Sequence, residues 1–149
     1  MAVFENLGTD LLLDNDGDLV VSPAGDLAIT QDGRTCLLQD VRNLLDTLPG
    51  DLFGHPAYGA GVPRLFGEED RPDFERLVVR AITDAMTYDQ GVGPRIEPDS
   101  IVVYALPRTG RTGRTGREAQ FQVSFVPLGE EWTNRLNLVW GSNASAEDV

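Results

Sequence analysis

Lysine is missing from the chain: all 12 basic residues are arginine, which excludes Schiff-base chemistry and a phosphate loop that depends on a lysine amine. Cysteine occurs once, as Cys36, so no internal disulfide forms and the fold must rest on packing, compatible with a reducing cytoplasm. Histidine also occurs once, as His55 beside Pro56. No spacing joins it to Cys36 or to a serine in the manner of a hydrolytic triad, and structural roles are expected for both residues. No apolar run approaches the ~18 residues of a membrane span, and the opening MAVFENLGTD has no basic start followed by an apolar stretch, so neither span nor signal peptide is expected. Cationic charge is scarce as well. With 24 acidic against 12 basic residues, the formal charge of −12 repels nucleic-acid phosphates and anionic membranes.

What remains is enough for one compact α+β unit. Residues 10–30 read as short strands and turns, with Gly17 and Gly25 supplying positive φ. From Arg34 to Leu48, apolar residues at 37, 38, 41, 44, 45 and 48 fall on one helical face, and Pro49-Gly50 ends the pattern. The glycine- and proline-rich stretch 51–70 reads as an ordered connection without a regular element. A second amphipathic helix starts near Pro72 and runs to Met86. Strands are expected at Ile101 to Tyr104, Ala119 to Val126 and Leu136 to Trp140. The expected fold is thus two main amphipathic helices packed on a mainly antiparallel β-sheet, as a single domain over residues 1–140 with a mobile tail at 141–149. The expected internal repeat is RTGRTGRTGR alone, a basic hairpin tip between two strands.

The chemical motifs reduce to structure. Asp14-Asn15-Asp16-Gly17-Asp18 fails as a calcium loop, because setting Gly17 sixth puts Leu12 first and Pro23 twelfth, where oxygen ligands are required. A turn in which Asn and Asp bond their own backbone accounts for it. Gly59-Ala60-Gly61 follows a helix rather than a strand and lacks the third glycine of a dinucleotide loop. Glu68, Glu69, Asp70, Glu97, Asp99 and Glu118 could each enter a glycosidase-like carboxylate pair, but among 24 acidic residues a nearby pair says little.

The order of landmarks carries more. Strands at 17–21 and 25–30 precede a Gln39-Asp40-Val41-Arg42 helix, then Leu48-Pro49-Gly50-Asp51 and Pro56-Ala57-Tyr58-Gly59, and later Pro94-Arg95-Ile96 before a strand. This order, over roughly residues 10 to 140, resembles the baseplate wedge family of contractile tails. That family is similar to the sheath initiator of type VI secretion and has historically been called lysozyme-like. The resemblance implies a non-enzymatic component without cofactor or metal, present in multiple copies in a ring. Its partners would be other wedge proteins, the sheath protein and tube or hub proteins. It implies partner contacts at Pro94 and Arg95 and along Leu136, Asn137, Leu138, Val139 and Trp140, where an edge strand could accept an extended arm. An internal ion pair is an equally open reading of Arg95. Gly50, Pro56, Tyr58 and Gly59 form the structural motif, and Arg108, Arg111, Arg114 and Arg117 are either an electrostatic contact or a solvated tip. The family often has Glu before Pro-Arg, whereas this chain has Gly93: either Glu97 substitutes from the other side or the contact is weaker here. Assembly in the cytoplasm into a phage tail or injection particle is the implied location. The alternatives are a peptidoglycan-cleaving hydrolase and a small peptide-binding adaptor.

Overall fold

A computed structural model describes residues 7–65, 71–106 and 120–141. The fold is α+β. Helix α1 spans Gly33–Asp46, α2 Val62–Leu65 and α3 Phe74–Met86; after two 3-10 turns at Gly93–Arg95 and Pro98–Ser100 come strands β1 Val102–Ala105, β2 Gln120–Phe125 and β3 Leu136–Gly141. The strands form one antiparallel sheet in the order β1-β2-β3. No helix among the described residues is long and apolar enough to cross a membrane.

Helix α1 begins where Asp32 accepts the Thr35 amide at 2.7 Å, a side-chain N-cap that satisfies one orphan donor. The hydrogen bonds from Thr35 hold the Asp32 carboxyl below its ordinary pKa. The helix buries Leu37, Val41, Leu44 and Leu45, and α3 buries Phe74, Val78, Ile82, Ala85 and Met86, as the 3.6-residue spacing predicts. Alternation along β2 and β3 sends Phe121, Val123, Phe125, Leu136, Leu138 and Trp140 into the same core. The opposite sheet face carries Gln122, Ser124, Asn137 and Val139, with Val102 and Tyr104 exposed beside them. Helix α3 packs against β1 and α1 against β3.

The stretch 51–70 departs from expectation, since it contains the single helical turn α2. Its Val62 is fully buried, so one apolar contact supports a turn too short to show a period. The second helix starts at Phe74 rather than at Pro72, which lies in the turn ahead of it. Arg108, Arg111, Arg114 and Arg117, and residues 142–149 of the expected tail, lie outside the described residues.

Residues 10–30 hold a further regularity. Asp-Leu recurs every eight residues, at 10–11, 18–19 and 26–27, so the arginine-glycine tract is not the sole repeat. The three segments close on one another: Leu12 N–H donates to Ala28 O (2.9 Å), Ala28 N–H to Val20 O (2.8 Å) and Val20 N–H to Leu12 O (3.1 Å). Single antiparallel bridges join Leu11 to Ile29, Leu13 to Leu19 and Val21 to Leu27. Each segment thus uses its neighbours to complete a small cyclic knob. Asp14 Oδ1 accepts the Asp16 and Asp18 amides, both at 2.9 Å, which makes the Asp-rich loop an Asx turn.

Candidate functional site

Helix α1 is the hub to which the knob, the Gly93–Arg95 turn, the 59–61 return and β3 are tied. Its Gln39 acts as a two-pronged clamp on the knob: Oε1 accepts the Leu13 amide at 2.9 Å and Nε2 donates to Leu11 O at 2.8 Å. One turn further on, Arg42 donates to Asn15 O. Gln39→Ala is expected to lower stability by about 1–2 kcal/mol, two hydrogen bonds at roughly 1 kcal/mol each. Hydrogen exchange should accelerate at Leu13 while the α1 amides keep their protection. Unchanged exchange at Leu13 would show that the clamp does not hold the knob.

On another side of α1, Asp40 receives Arg95. Arg95 Nη2 lies 2.6 Å from Asp40 Oδ2, and its Nη1 donates to Leu7 O at 3.4 Å. Both side chains of the pair keep partial solvent contact, at 34% and 25%. The geometry therefore ties the Gly93–Arg95 turn to the middle of α1. Glu97 does not serve Arg95, because its Oε1 accepts the Gly129 amide at 3.0 Å. Nor does position 93 have room for the family's glutamate: a Cβ there would lie 2.7 Å from Tyr88 O, inside van der Waals contact. Pro94 occupies the first positions of the 3-10 turn, where its fixed φ suits. A double-mutant cycle of Asp40→Asn and Arg95→Gln is expected to give a coupling of about 1 kcal/mol, the upper end for an ion pair still reached by water. Urea unfolding measures it, and a coupling near zero would mean that the pair does not fasten the turn.

The end of α1 explains the Gly50, Pro56, Tyr58 and Gly59 motif. Asp51 N–H donates to Leu48 O across Pro49-Gly50, with Gly50 at φ +95°, a type II turn pattern. Tyr58 N–H donates to His55 O over Pro56. The chain then returns under the helix, where Ala60 N–H meets Leu44 O and Gly61 N–H meets Thr47 O, each at 3.0 Å. These bonds satisfy carbonyls that a helix terminus leaves open. Tyr58 packs against the core, and burial first, then the nearby Asp40, raises its phenol pKa. His55 Nδ1 is 3.3 Å from Gln90 Oε1, a link between two turns. Cys36 is buried, and burial followed by Asp40 raises its thiol pKa, so it stays protonated at neutral pH. Among the described residues no group of three His, Cys, Asp or Glu side chains is placed to hold a metal ion.

Trp140 pins β3 to the end of α1 through Nε1 to Asp46 Oδ1 at 2.8 Å. Asp40 and Asp46 are six residues apart, about 9 Å along the helix, so Arg95 and β3 meet α1 at separate points. Leu136, Leu138 and Trp140 turn their side chains into the core; what β3 offers along its edge is backbone. Leu106 N–H donates to Gln120 O, which assigns the alternate residues 120, 122 and 124 to the β1 ladder. Phe121, Val123 and Phe125 then bond β3 through Trp140, Leu138 and Leu136, their register partners. The N–H and C=O groups of Asn137 and Val139 therefore point to the side of β3 away from β2. There no strand among the described residues pairs with them.

Beside β3, a cavity of about 210 Å³ opens between the knob and α1, lined among others by Leu12, Leu38, Gln39, Arg42, Asp46 and Leu138. The sequence reading overlooked Gln39, Asp46 and the knob as elements of this region. The eight-residue Asp-Leu spacing was the available signal for the last; the other two depend on partners distant in sequence. Comparison with protein-family models, curated proteins and solved structures gives no match to this chain. The resemblance to baseplate wedge proteins thus stands on the order of motifs.

Proposed function

We propose that the chain is a structural component of a contractile injection machine's baseplate. In this reading it joins wedge subunits around the central tube and starts sheath assembly by accepting an extended arm of a partner along β3. The observation that supports it is the outward row of backbone groups at Asn137 and Val139 on a sheet edge held firmly from behind by Trp140 and Asp46. An open edge is a hazard in a free protein and a template in an assembly. Strand addition supplies affinity through main-chain bonds and so needs few exposed side chains. Internal fastening of Arg95 leaves the sheet edge, rather than the Pro94-Arg95 turn, as the principal docking element.

Val139→Pro tests this reading. It removes an outward donor while leaving the β2 ladder in place, and proline is tolerated at such edge positions. Circular dichroism and thermal melting are expected to show a folded protein. Co-expressed with wedge and sheath proteins, the variant is expected to be missing from ring-shaped particles seen by negative stain, whereas the parent enters them. Normal incorporation of the variant would sink strand addition at β3. Lysis of purified peptidoglycan by the parent, lost on replacing a single carboxylate, would replace the assembly reading with the hydrolase alternative.

A further inference from the structure

The knob presents an apolar face that remains exposed among the described residues. Leu11, Leu19, Val21, Leu27 and Ile29 are exposed, from 39% at Leu11 to 64% at Val21. Scattered exposed leucines are ordinary, but these are joined in space: Leu11 faces Ile29, Val21 faces Leu27, and Leu19 faces Leu13, which reaches the cavity beside α1. Bridged cross-strand neighbours lie within about 5.5 Å of one another. The hydrogen-bonded cycle of Leu12, Val20 and Ala28 fixes the face, and the Gln39 clamp fixes its attitude to α1. It is a held apolar surface, of the kind that marks an interaction site.

Charge selects what fits it. Asp10, Asp14, Asp16, Asp18 and Asp26 are all exposed on the same segment, and no arginine occurs before Arg34. Arg42, a cation that reaches the knob from α1, donates to Asn15 O at its base. A second copy of this face would oppose carboxylate to carboxylate, and an anionic bilayer or nucleic acid would be repelled in the same way. We propose that the knob is a docking face for a protein partner whose contact segment alternates apolar residues with arginine or lysine. Apolar side chains would cover the Leu11–Ile29 and Val21–Leu27 pairs, and the cations would meet the aspartate rim. This face is distinct from the β3 edge, and the proposal does not rest on the baseplate reading.

Short fluorescent peptides on the full chain test it: one alternating leucine with arginine, one leucine with glutamate, and one serine with arginine. The leucine–arginine peptide is expected to bind best by anisotropy, with amide shift changes in NMR spectra at residues 19–29, and to weaken as salt screens the rim. Val21→Ser combined with Ile29→Ser, at exposed positions that leave folding intact by circular dichroism, should weaken binding by about tenfold or more. Val139→Pro should leave it unchanged. Equal binding of the serine–arginine peptide, shifts centred away from the knob, or an unaffected double variant would overturn the proposal. So would a concentration-dependent dimer in sedimentation that the double variant abolishes, since the occupant would then be a second copy.

Discussion

Replacing Gly59 by alanine is expected to destabilise the protein by about 3 kcal/mol or more. Two independent costs add at this position. The backbone sits at φ +113°, a region essentially reserved for glycine, where a side chain brings roughly 1–3 kcal/mol of strain. A Cβ would also collide with the Thr47 carbonyl oxygen, and that oxygen cannot withdraw, because it accepts the Gly61 amide while the adjacent Ala60 amide holds Leu44 O. Relieving the overlap must lift the returning segment off α1 and uncover two helix-terminal carbonyls. Gly54→Ala is the control: its φ is +78° but nothing lies within 4 Å of the added atom, so only the left-handed cost of about 1–2 kcal/mol applies. Urea midpoints measure both. If the two variants lost the same stability, close packing on α1 would not be what requires Gly59.

This contrast also marks how far local pattern reaches. The periodicities at 37–48 and 74–86 place the core faces of α1 and α3 within a residue or two, and alternation at Phe121, Val123 and Phe125 identifies the buried side of β2, because burial repeats with the geometry of the element itself. The return under α1 is announced by Pro56 and Gly59 as a turn, yet its purpose, closing carbonyls of α1, depends on Leu44 and Thr47 more than ten residues earlier. Asp40 and Arg95 are 55 positions apart and Asp46 and Trp140 are 94 apart, so no spacing rule links them. Helix α2 stayed hidden because four residues are too few for a period. The knob was legible in principle, through the eight-residue Asp-Leu recurrence, but a cycle in which each segment bonds the next shows no alternation longer than a strand of three or four residues. The placement of β3 as a strand was readable from Leu136 to Trp140. Its outward groups were not, since they depend on which pairs of the β1–β2 ladder exchange hydrogen bonds.

Phe121→Ala is expected to cost about 3–5 kcal/mol, the range for removing a large aromatic from a packed core. Phe121 is fully buried at the centre of the sheet, facing Trp140 of β3 in the register and meeting Phe74 of α3 edge-on at 6.1 Å and 69°. The lost ring leaves a void where helix layer and sheet layer join, and neither neighbour is free to fill it: β2 is bonded on both sides, and Phe74 begins a helix whose whole apolar stripe is engaged. Paired with Phe74→Leu in a double-mutant cycle, it should show a coupling of about 0.5–1.5 kcal/mol from the aromatic contact beyond burial alone; simple additivity would mean that the rings contribute only through area. The same variant separates stability from docking. Since β2 carries β3, loss of Phe121 should speed hydrogen exchange along β3 and, under the proposed assembly role, reduce incorporation into particles in proportion to the unfolded fraction, recovering on cooling. Val139→Pro should do the opposite, leaving the melting curve close to the parent's and abolishing incorporation at every temperature. Recovery on cooling in the first variant alone would assign the β3 edge a contact role that its contribution to the fold does not explain.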